Sequence, residues 1–233
     1  MLSSLPSGYK ALVIGASGAL GSAFLTHLHN DPRCSVAMGL GRSSDPKLDL
    51  NDEDSIVQAA AQLKPLGPWH CIVVASGILH GAHGMPEKRL AQLHASQMEA
   101  VFRVNTFGPA LALAHFAPLL DSKQRSLMAV LSAKVGSIED NRLGGWYSYR
   151  ASKAALNMML KTAAIEVART HPQAVLAALH PGTVDSSLSA PFRGAEIGRP
   201  ALEAAEELLQ VLNGLEAEHS GGFWSYSGER LPW

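Results

Sequence analysis

Tyr149 and Lys153 are the two residues whose types and spacing most directly suggest chemistry. They lie four positions apart near the start of an alanine-rich segment, 147–170, that we predict to be one long helix. A spacing of four places both side chains on one helix face, one turn apart. Since an ammonium group favours the phenolate form of a nearby phenol, we expect Lys153 to lower the pKa of Tyr149 toward neutral pH, as general acid–base catalysis requires. The alternative is an ordinary tyrosine and lysine on a helix surface.

Asn105 is a polar residue in an apolar setting. We predict that Ser96–Glu99 forms a capping box that opens a helix extending to about Leu120, and that Pro109 kinks this helix. A buried amide needs hydrogen-bond partners, which a freed backbone carbonyl or a water molecule could provide. Asn105 could therefore repair the kink, take part in chemistry, or do both.

Three glycines near the start of the chain suggest a site for an anion. The apolar run Ala11–Ile14 leads into Gly15, Gly18 and Gly21, and a helix-forming segment follows directly. In a dinucleotide site the first glycine makes the turn, the second lets the backbone approach a pyrophosphate, and the third lets the helix pack closely. The pyrophosphate then binds the free N–H groups of the helix N-terminus. A plain tight turn is the alternative interpretation of the glycines alone.

Strands and helices alternate along the whole chain, which predicts an α/β protein with a doubly wound parallel sheet. Residues 185–199 are rich in Ser, Gly and Pro, and we predict that they form a mobile lid. The length fits a single domain covering 1–233. Strands are expected at 11–14, 35–40, 47–50, 71–75, 126–131, 174–179 and 223–226, and helices after the glycine turn to about 30 and at 52–63, 96–120, 147–170 and 200–214.

The composition argues against several classes of protein. The chain of 233 residues has a net charge of −1 and shows no basic stripe for nucleic acid or an anionic membrane surface. Residues 1–9 lack the pattern of a signal peptide and no segment resembles a membrane span, so we predict a cytoplasmic protein. Cys34 and Cys71 are expected to be buried free thiols. We predict no metal site, because neither His27 with His29 nor His80 with His83 has further ligands at suitable spacing.

The motifs together resemble the short-chain dehydrogenase/reductase superfamily over nearly the whole chain. The shared features occur in the family's order: the glycines at 15–21, Asp49-Leu50, Ala75-Ser76-Gly77, Val104-Asn105, Tyr149 with Lys153, and Pro181-Gly182. The stretches 131–138 and 144–156 and the ending 231–233 are most similar to the subgroup of sniffer-type carbonyl reductases and C-factor-like proteins. The resemblance implies a Rossmann fold.

The resemblance also implies a role for each matching position. Tyr149 would protonate a carbonyl oxygen as hydride arrives from the nicotinamide, and Lys153 would lower its pKa and bind the nicotinamide ribose. Asn105 would hold a water in a proton relay. The implied NADP(H) site comprises Gly15, Ser17, Gly18, Ala19, Leu20, Gly21, Arg42, Ser43, Asp49 (to the adenine amino group), Leu50 (to the adenine ring), Ala75, Ser76, Gly77, Asn105, Tyr149, Lys153, Pro181, Gly182, Thr183 and Val184 (to the carboxamide).

Arg42 indicates which coenzyme is used. An NAD enzyme usually has an acidic residue at the end of the second strand, where it binds the ribose 2′-OH. This chain has Gly41-Arg42-Ser43 there, so Arg42 could bind a 2′-phosphate through its planar guanidinium and Ser43 through its hydroxyl. We therefore expect NADP(H), with NAD(H) the less favoured coenzyme, and a solvated arginine as the alternative.

Ser132 is our candidate for the substrate-binding hydroxyl. In the family pattern this hydroxyl lies three residues before the glycine that is Gly136 here, and Ala133 occupies that position. Side chains of neighbouring strand residues point to opposite faces, so Ser132 can replace it only if the strand has already ended. A structural role for Ser132 at the strand end is the alternative, and Ser137 is a further candidate.

Our leading hypothesis is an NADP-dependent reductase of a small or medium-sized, partly apolar carbonyl or alcohol, because the lid carries Leu188, Ala190, Phe192 and Ile197. The rival hypothesis is a dinucleotide-binding signalling or interaction protein that needs no turnover. The helices at 96–120 and 147–170 are apolar beyond one stripe, so we expect a homodimer or homotetramer.

Overall fold

A parallel β-sheet forms the centre of the structure, a computed structural model that describes residues 1–82 and 84–233. The strand order is β2-β1-β3-β4-β5-β6. This arrangement confirms the predicted doubly wound α/β fold. The strands are β1 (Tyr9–Ile14), β2 (Cys34–Leu40), β3 (Cys71–Val74), β4 (Ser126–Leu131), β5 (Ala174–His180) and β6 (Gly222–Ser225).

Helices cover both faces of the sheet, which is why its central strands are apolar without alternation. In β3, Cys71 and Val73 pack toward α1 and α7, whereas Ile72 and Val74 pack toward α2, α4 and α5. Among the described helices, none is long and apolar enough to cross a membrane. The helices are α1 (Ala19–Asn30), α2 (Glu53–Leu63), α3 (Ala95–Phe102), α4 (Gly108–Phe116), α5 (Tyr147–Val167), α6 (Gly194–Ile197) and α7 (Ala201–Gly214).

Three local predictions were wrong. Residues 47–50 do not form a strand; Leu48 donates its N–H to the carbonyl of Gly41 and the segment is irregular. The capping box at Ser96 is not formed, because α3 already begins at Ala95 with His94 as its N-cap. Cys71 is buried as expected, but Cys34 is only partly buried.

Pro109 interrupts the predicted helix, as expected. Between α3 and α4 lies a π-helical segment, Arg103–Phe107, in which the N–H of Gly108 donates to the carbonyl of Arg103, five residues back. Since proline has no N–H to donate, the helix adjusts its hydrogen bonding before Pro109. This wider turn carries Asn105.

The glycine turn between β1 and α1 is tight for steric reasons. Gly15 has a φ of +87°, a conformation that favours glycine. A Cβ on Gly21 would lie 2.1 Å from the carbonyl oxygen of Gly15, so α1 approaches the turn as closely as its backbone allows. Gly18 has room, since its Cβ would meet the same oxygen at an ordinary 3.5 Å.

We predict that Gly21→Ala lowers the free energy of unfolding by about 1–3 kcal/mol, as overpacking does, because the methyl group would clash with backbone atoms. The matched control, Gly18→Ala, should cost less than about 1 kcal/mol, because it replaces an N-cap glycine with room around it. Urea unfolding of both variants would measure the difference. Equal losses in the two variants would contradict this account of the turn.

Candidate active site

The predicted site residues gather at the carboxyl ends of the strands, where open α/β sheets bind ligands. A cavity of about 410 Å³ opens there. Its wall is formed by the start of α1, by the segments that follow β3, β4 and β5, by the first turns of α5, and by part of the lid. Topology therefore brings together segments that are far apart in the chain.

Tyr149 and Lys153 lie on one face of α5, as their spacing predicted. Both line the cavity, and only 9% of Tyr149 and 3% of Lys153 is exposed. The Nζ of Lys153 lies 5.9 Å from the centroid of the Tyr149 ring and donates a hydrogen bond of 2.8 Å to the carbonyl oxygen of Leu131. The pair is therefore not an ordinary surface tyrosine and lysine.

The prediction that Lys153 lowers the pKa of Tyr149 was wrong for this structure. Burial raises the pKa of Tyr149 to about 12 and lowers the pKa of Lys153 to about 8. The physical cause is the same for both, because each group loses hydration that stabilises its charged form. Tyr149 is therefore protonated at neutral pH, as an unperturbed tyrosine also is, and burial removes any tendency to rest as the phenolate.

Asn105 is buried and its amide is fully engaged with neighbouring groups. Its Oδ1 accepts the N–H of Ile78 and its Nδ2 donates to the carbonyl of Ile78, both at 2.8 Å. Nδ2 also donates to Oγ of Ser152, 3.2 Å away on α5. The amide thus joins the loop after β3 to α5 rather than capping a freed carbonyl of its own helix. A role for Asn105 in a proton relay stays a prediction.

The structure places Ala133, not Ser132, beside Tyr149. The methyl group of Ala133 packs with Tyr149 and Leu79. Ser132 is 4% exposed, and its hydroxyl donates to Oδ1 of Asn157 on α5 at 2.6 Å. Its N–H continues the sheet by donating to Leu179, so the strand pattern still holds at this position. The geometry thus favours the structural role for Ser132 over the substrate-binding role we expected.

Ser132 still lines the cavity, whereas Ser137 is engaged away from it. Its hydroxyl donates to the carbonyl of Trp233 and accepts the N–H of Asp140. It therefore holds the loop that leads to α5.

The segments proposed for the coenzyme fall into two groups. Gly18-Ala19-Leu20, Ala75-Ser76-Gly77 and 181–184 line the cavity, whereas Gly15 and Gly21 shape the turn beside it and Ser17 is exposed on that turn. A helix N-terminus leaves its first N–H groups without helical partners, and α1 presents these groups at the cavity. The backbone here fits a bound pyrophosphate.

The positions proposed for the adenosine end lie outside this cavity. Arg42 and Ser43 are exposed just after β2. The carboxylate of Asp49 accepts the backbone N–H of Asn51 at 3.0 Å. Leu50 is 8% exposed and belongs to the core, where a Cβ on Gly108 would lie 2.5 Å from its own Cβ. The side chain of Leu50 therefore supports the core rather than facing a ring.

The lid closes one side of the cavity through aromatic contacts. Phe192 lies 5.0 Å from Trp146 and 6.0 Å from His80 between ring centroids, and His80 also contacts the carbonyl of Ser187 at 3.1 Å. Leu188 and Ile197 line the cavity as the sequence suggested, but Ala190 is not part of its wall.

Sequence reasoning missed Trp146 and His180. Trp146 is the N-cap of α5, with a φ of +53°, and its ring packs edge-on to Tyr149 at 6.2 Å. Its position three residues before Tyr149 was a usable signal. His180 lines the cavity, and burial lowers its pKa to about 4. Among the described residues no group of three metal-binding side chains occurs, and His83 lies outside them.

Comparison with known proteins identifies the class. The family model for short chain dehydrogenases matches residues 44–196, so the chain belongs to the short-chain dehydrogenase family. A 1-hydroxy-2-glutathionyl-2-methyl-3-butene dehydrogenase from Rhodococcus sp. (strain AD45) is 28% identical, covering 95% of this chain and 98% of its own length. The C-signal protein of Myxococcus xanthus is 32% identical, covering 62% of this chain and 83% of its own.

Solved structures show the same fold. The carbonyl reductase Sniffer of D. melanogaster superposes with a TM-score of 0.82 at 20% identity, covering 97% of this chain and 99% of that one. An NADPH-bound carbonyl reductase from chicken fatty liver superposes with a TM-score of 0.80 at 24% identity, covering 98% of this chain and all (100%) of that one. These likenesses establish the architecture of this chain.

We predict that Ser132→Ala changes carbonyl turnover only a few-fold but lowers the free energy of unfolding by about 1–3 kcal/mol, because Oδ1 of buried Asn157 loses its donor. Ala133→Ser should raise turnover, since it places a hydroxyl beside Tyr149 where a developing oxyanion can be stabilised. Steady-state kinetics and urea unfolding of both variants would test this. A loss of turnover of about a hundredfold in Ser132→Ala, with stability unchanged, would restore Ser132 as the substrate-binding donor.

Proposed function

We propose that this protein is an NADPH-dependent reductase that transfers hydride to a carbonyl group, with Tyr149 as the general acid. The observation that carries the proposal is a buried tyrosine next to a buried lysine on one helix face, in a cavity at the carboxyl edge of the sheet. Membership of the short-chain dehydrogenase family supports this reaction class.

Each of several side chains would have its own role in the reduction of the carbonyl group. NADPH, when bound, supplies the hydride. Tyr149 donates its hydroxyl proton to the carbonyl oxygen, and the ammonium of Lys153 stabilises the phenolate that remains, because an opposite charge nearby favours the ionised form. Asn105 keeps the loop after β3 in place against α5 through its hydrogen bonds to Ile78 and Ser152. Leu79, Trp146 and Phe192 exclude water from the apolar end of the cavity.

Tyr149→Phe tests the proposed acid, because it removes only the hydroxyl. We predict that it lowers kcat for carbonyl reduction by about 10²–10⁴-fold, the usual contribution of a general acid, while NADPH still binds. The matched control is Tyr147→Phe, which alters a tyrosine 37% exposed on the same helix and should leave kcat within about twofold. Consumption of NADPH with aldehydes, ketones and quinones measures the rate, and fluorescence titration measures coenzyme binding.

A second candidate function is favoured by the relative named C-signal, because that name describes a signal rather than an enzyme. On that alternative the protein would bind a dinucleotide and need no turnover. The same experiment separates the two: NADPH binding without turnover of any carbonyl in the panel would contradict the reductase proposal and support the alternative.

The preference for NADP(H) rests on Arg42 and Ser43. Both are exposed at the end of β2, beside the turn where Gly15 and Ala16 donate to the carbonyl of Leu40. A guanidinium there can form charge-assisted hydrogen bonds to a 2′-phosphate. The NADPH-bound chicken reductase of the same fold supports this assignment.

We predict that Arg42→Ala lowers the ratio of kcat/KM for NADPH to that for NADH by at least about tenfold, the effect of losing a charged hydrogen bond. The matched control is Arg169→Ala, which alters an exposed arginine just after α5 and should leave the ratio unchanged. An unchanged ratio in Arg42→Ala would show that Arg42 is only a solvated surface residue.

We also propose assembly through α5 and the segment before α4. Met158, Met159 and Ile165 are 66%, 48% and 55% exposed on α5, and Phe107 is 50% exposed in the π-helical segment. Large apolar side chains exposed on these segments suggest a partner, and a second copy of this chain would give the homodimer or homotetramer expected from the sequence. A cytoplasmic location stays a prediction.

A further inference from the structure

Lys134 places a positive charge at the end of the cavity where substrate would bind. It begins the short turn Lys134–Gly136 directly after Ala133, whose methyl group contacts Tyr149. The turn is fixed against α5: Arg150 donates to the carbonyl of Val135 at 3.2 Å, and a Cβ on Gly136 would lie 2.7 Å from Cβ of Lys153. Lys134 is therefore held close to the reacting groups without being needed for the proposed chemistry.

The charges that line the cavity are unbalanced. Its described lining residues include three side chains that can carry a positive charge, Lys134, Lys153 and His180. No Asp or Glu is found among these described lining residues. Lys153 is buried and engaged with Leu131. His180 is neutral at pH 7, because burial and then the positive charge of Lys134 lower its pKa to about 4. Lys134 differs from these two groups because its side chain is 47% exposed and makes no hydrogen bond to the described strands of the sheet, so it is the cation that a ligand can reach.

The ion pair that Lys134 already makes is weak. Its Nζ lies 3.8 Å from Oδ1 of Asp140, and the two side chains are 47% and 43% exposed. Exposed pairs of this kind contribute little, because water solvates both charges well. Lys134 can therefore exchange Asp140 for a ligand carboxylate at the edge of the cavity at little cost, because both partners stay partly hydrated there.

We propose that the substrate of this site is a carbonyl compound that carries an anionic group, such as a carboxylate, bound by Lys134. The proposal rests on the reductase function proposed above and adds its substrate class. Leu79, Trp146 and Phe192, which also line the cavity, bind the apolar body of the substrate. Lys134 then determines specificity, while Tyr149 remains the acid.

Probes that differ in charge on the same aromatic aldehyde test this assignment: 3- and 4-carboxybenzaldehyde against their methyl esters, with NADPH. We expect kcat/KM to favour the acid over its ester by about two- to fivefold in at least one pair, the effect of one partly exposed ion pair at low salt, and to lose that preference as salt is raised. Lys134→Gln should abolish the preference while leaving kcat/KM for the ester within about twofold, and Lys134→Glu should reverse it. Lys123→Gln, an exposed lysine beyond the amino end of β4, is the matched control.

Binding provides a second readout that does not depend on turnover. Calorimetry with the NADP-loaded protein compares 3- and 4-(hydroxymethyl)benzoate with their methyl esters. Tighter binding of an acid that is lost in Lys134→Gln supports the proposal, even if no aldehyde is reduced and the reductase function itself fails. Equal affinities of acid and ester in both pairs, or no binding of either acid, would overturn the Lys134 assignment, whereas reduction of the esters would leave the reductase function standing.

Discussion

The hydrogen bond from Nζ of Lys153 to the carbonyl oxygen of Leu131 joins the helix that carries the chemistry to the sheet that positions it. It connects α5 to the last residue of β4, and Gly136 lets the following turn lie directly against Lys153. Both Lys153 and Tyr149 line the cavity, and Tyr149 lies one helical turn before Lys153 on α5. The other walls of the site are arranged around this contact.

Burial, more than charge, controls ionisation in the site. In three groups that line the cavity, burial favours the uncharged form. It raises the pKa of Tyr149 and lowers the pKa values of Lys153 and His180. A proton donor that stays neutral at working pH suits reduction of a carbonyl, where a proton must be delivered. The lid adds to the burial of these groups, because Phe192 and Trp146 pack together over the apolar side of the cavity.

In this site, a residue that holds the fold together can lie next to a residue that faces the proposed acid. Ser132 and Ala133 are adjacent, yet the strand directs the hydroxyl of Ser132 to Asn157 and the methyl of Ala133 to Tyr149. In the same way Asn105 links Ile78 to Ser152, so the loop after β3 and the helix α5 keep a constant separation. These buried polar contacts give the cavity a defined shape.

Much of the fold and of the site could be predicted from local patterns in the sequence. A spacing of four was enough to place Tyr149 and Lys153 on one face, and the alternation of apolar strands with helices gave the sheet. The segment 47–50 was mistaken for a strand because its alternating leucines are buried in an irregular loop. The direction of the pKa shift at Tyr149 could not be predicted from spacing, since it depends on how much of the protein packs around the pair. The partner of the Ser132 hydroxyl likewise depends on where α5 crosses β4.

The central claim is that burial, and not the charge of Lys153, sets the pKa of Tyr149, so that the hydroxyl rests as the proton donor and not as a phenolate. The most direct test is an ultraviolet titration of phenolate formation in the coenzyme-free protein, taken as the difference between wild type and Tyr149→Phe. With a pKa of about 12, Tyr149 should contribute no phenolate below about pH 10. A difference signal with a midpoint near neutral pH would show that Lys153 dominates over burial, and would contradict the account.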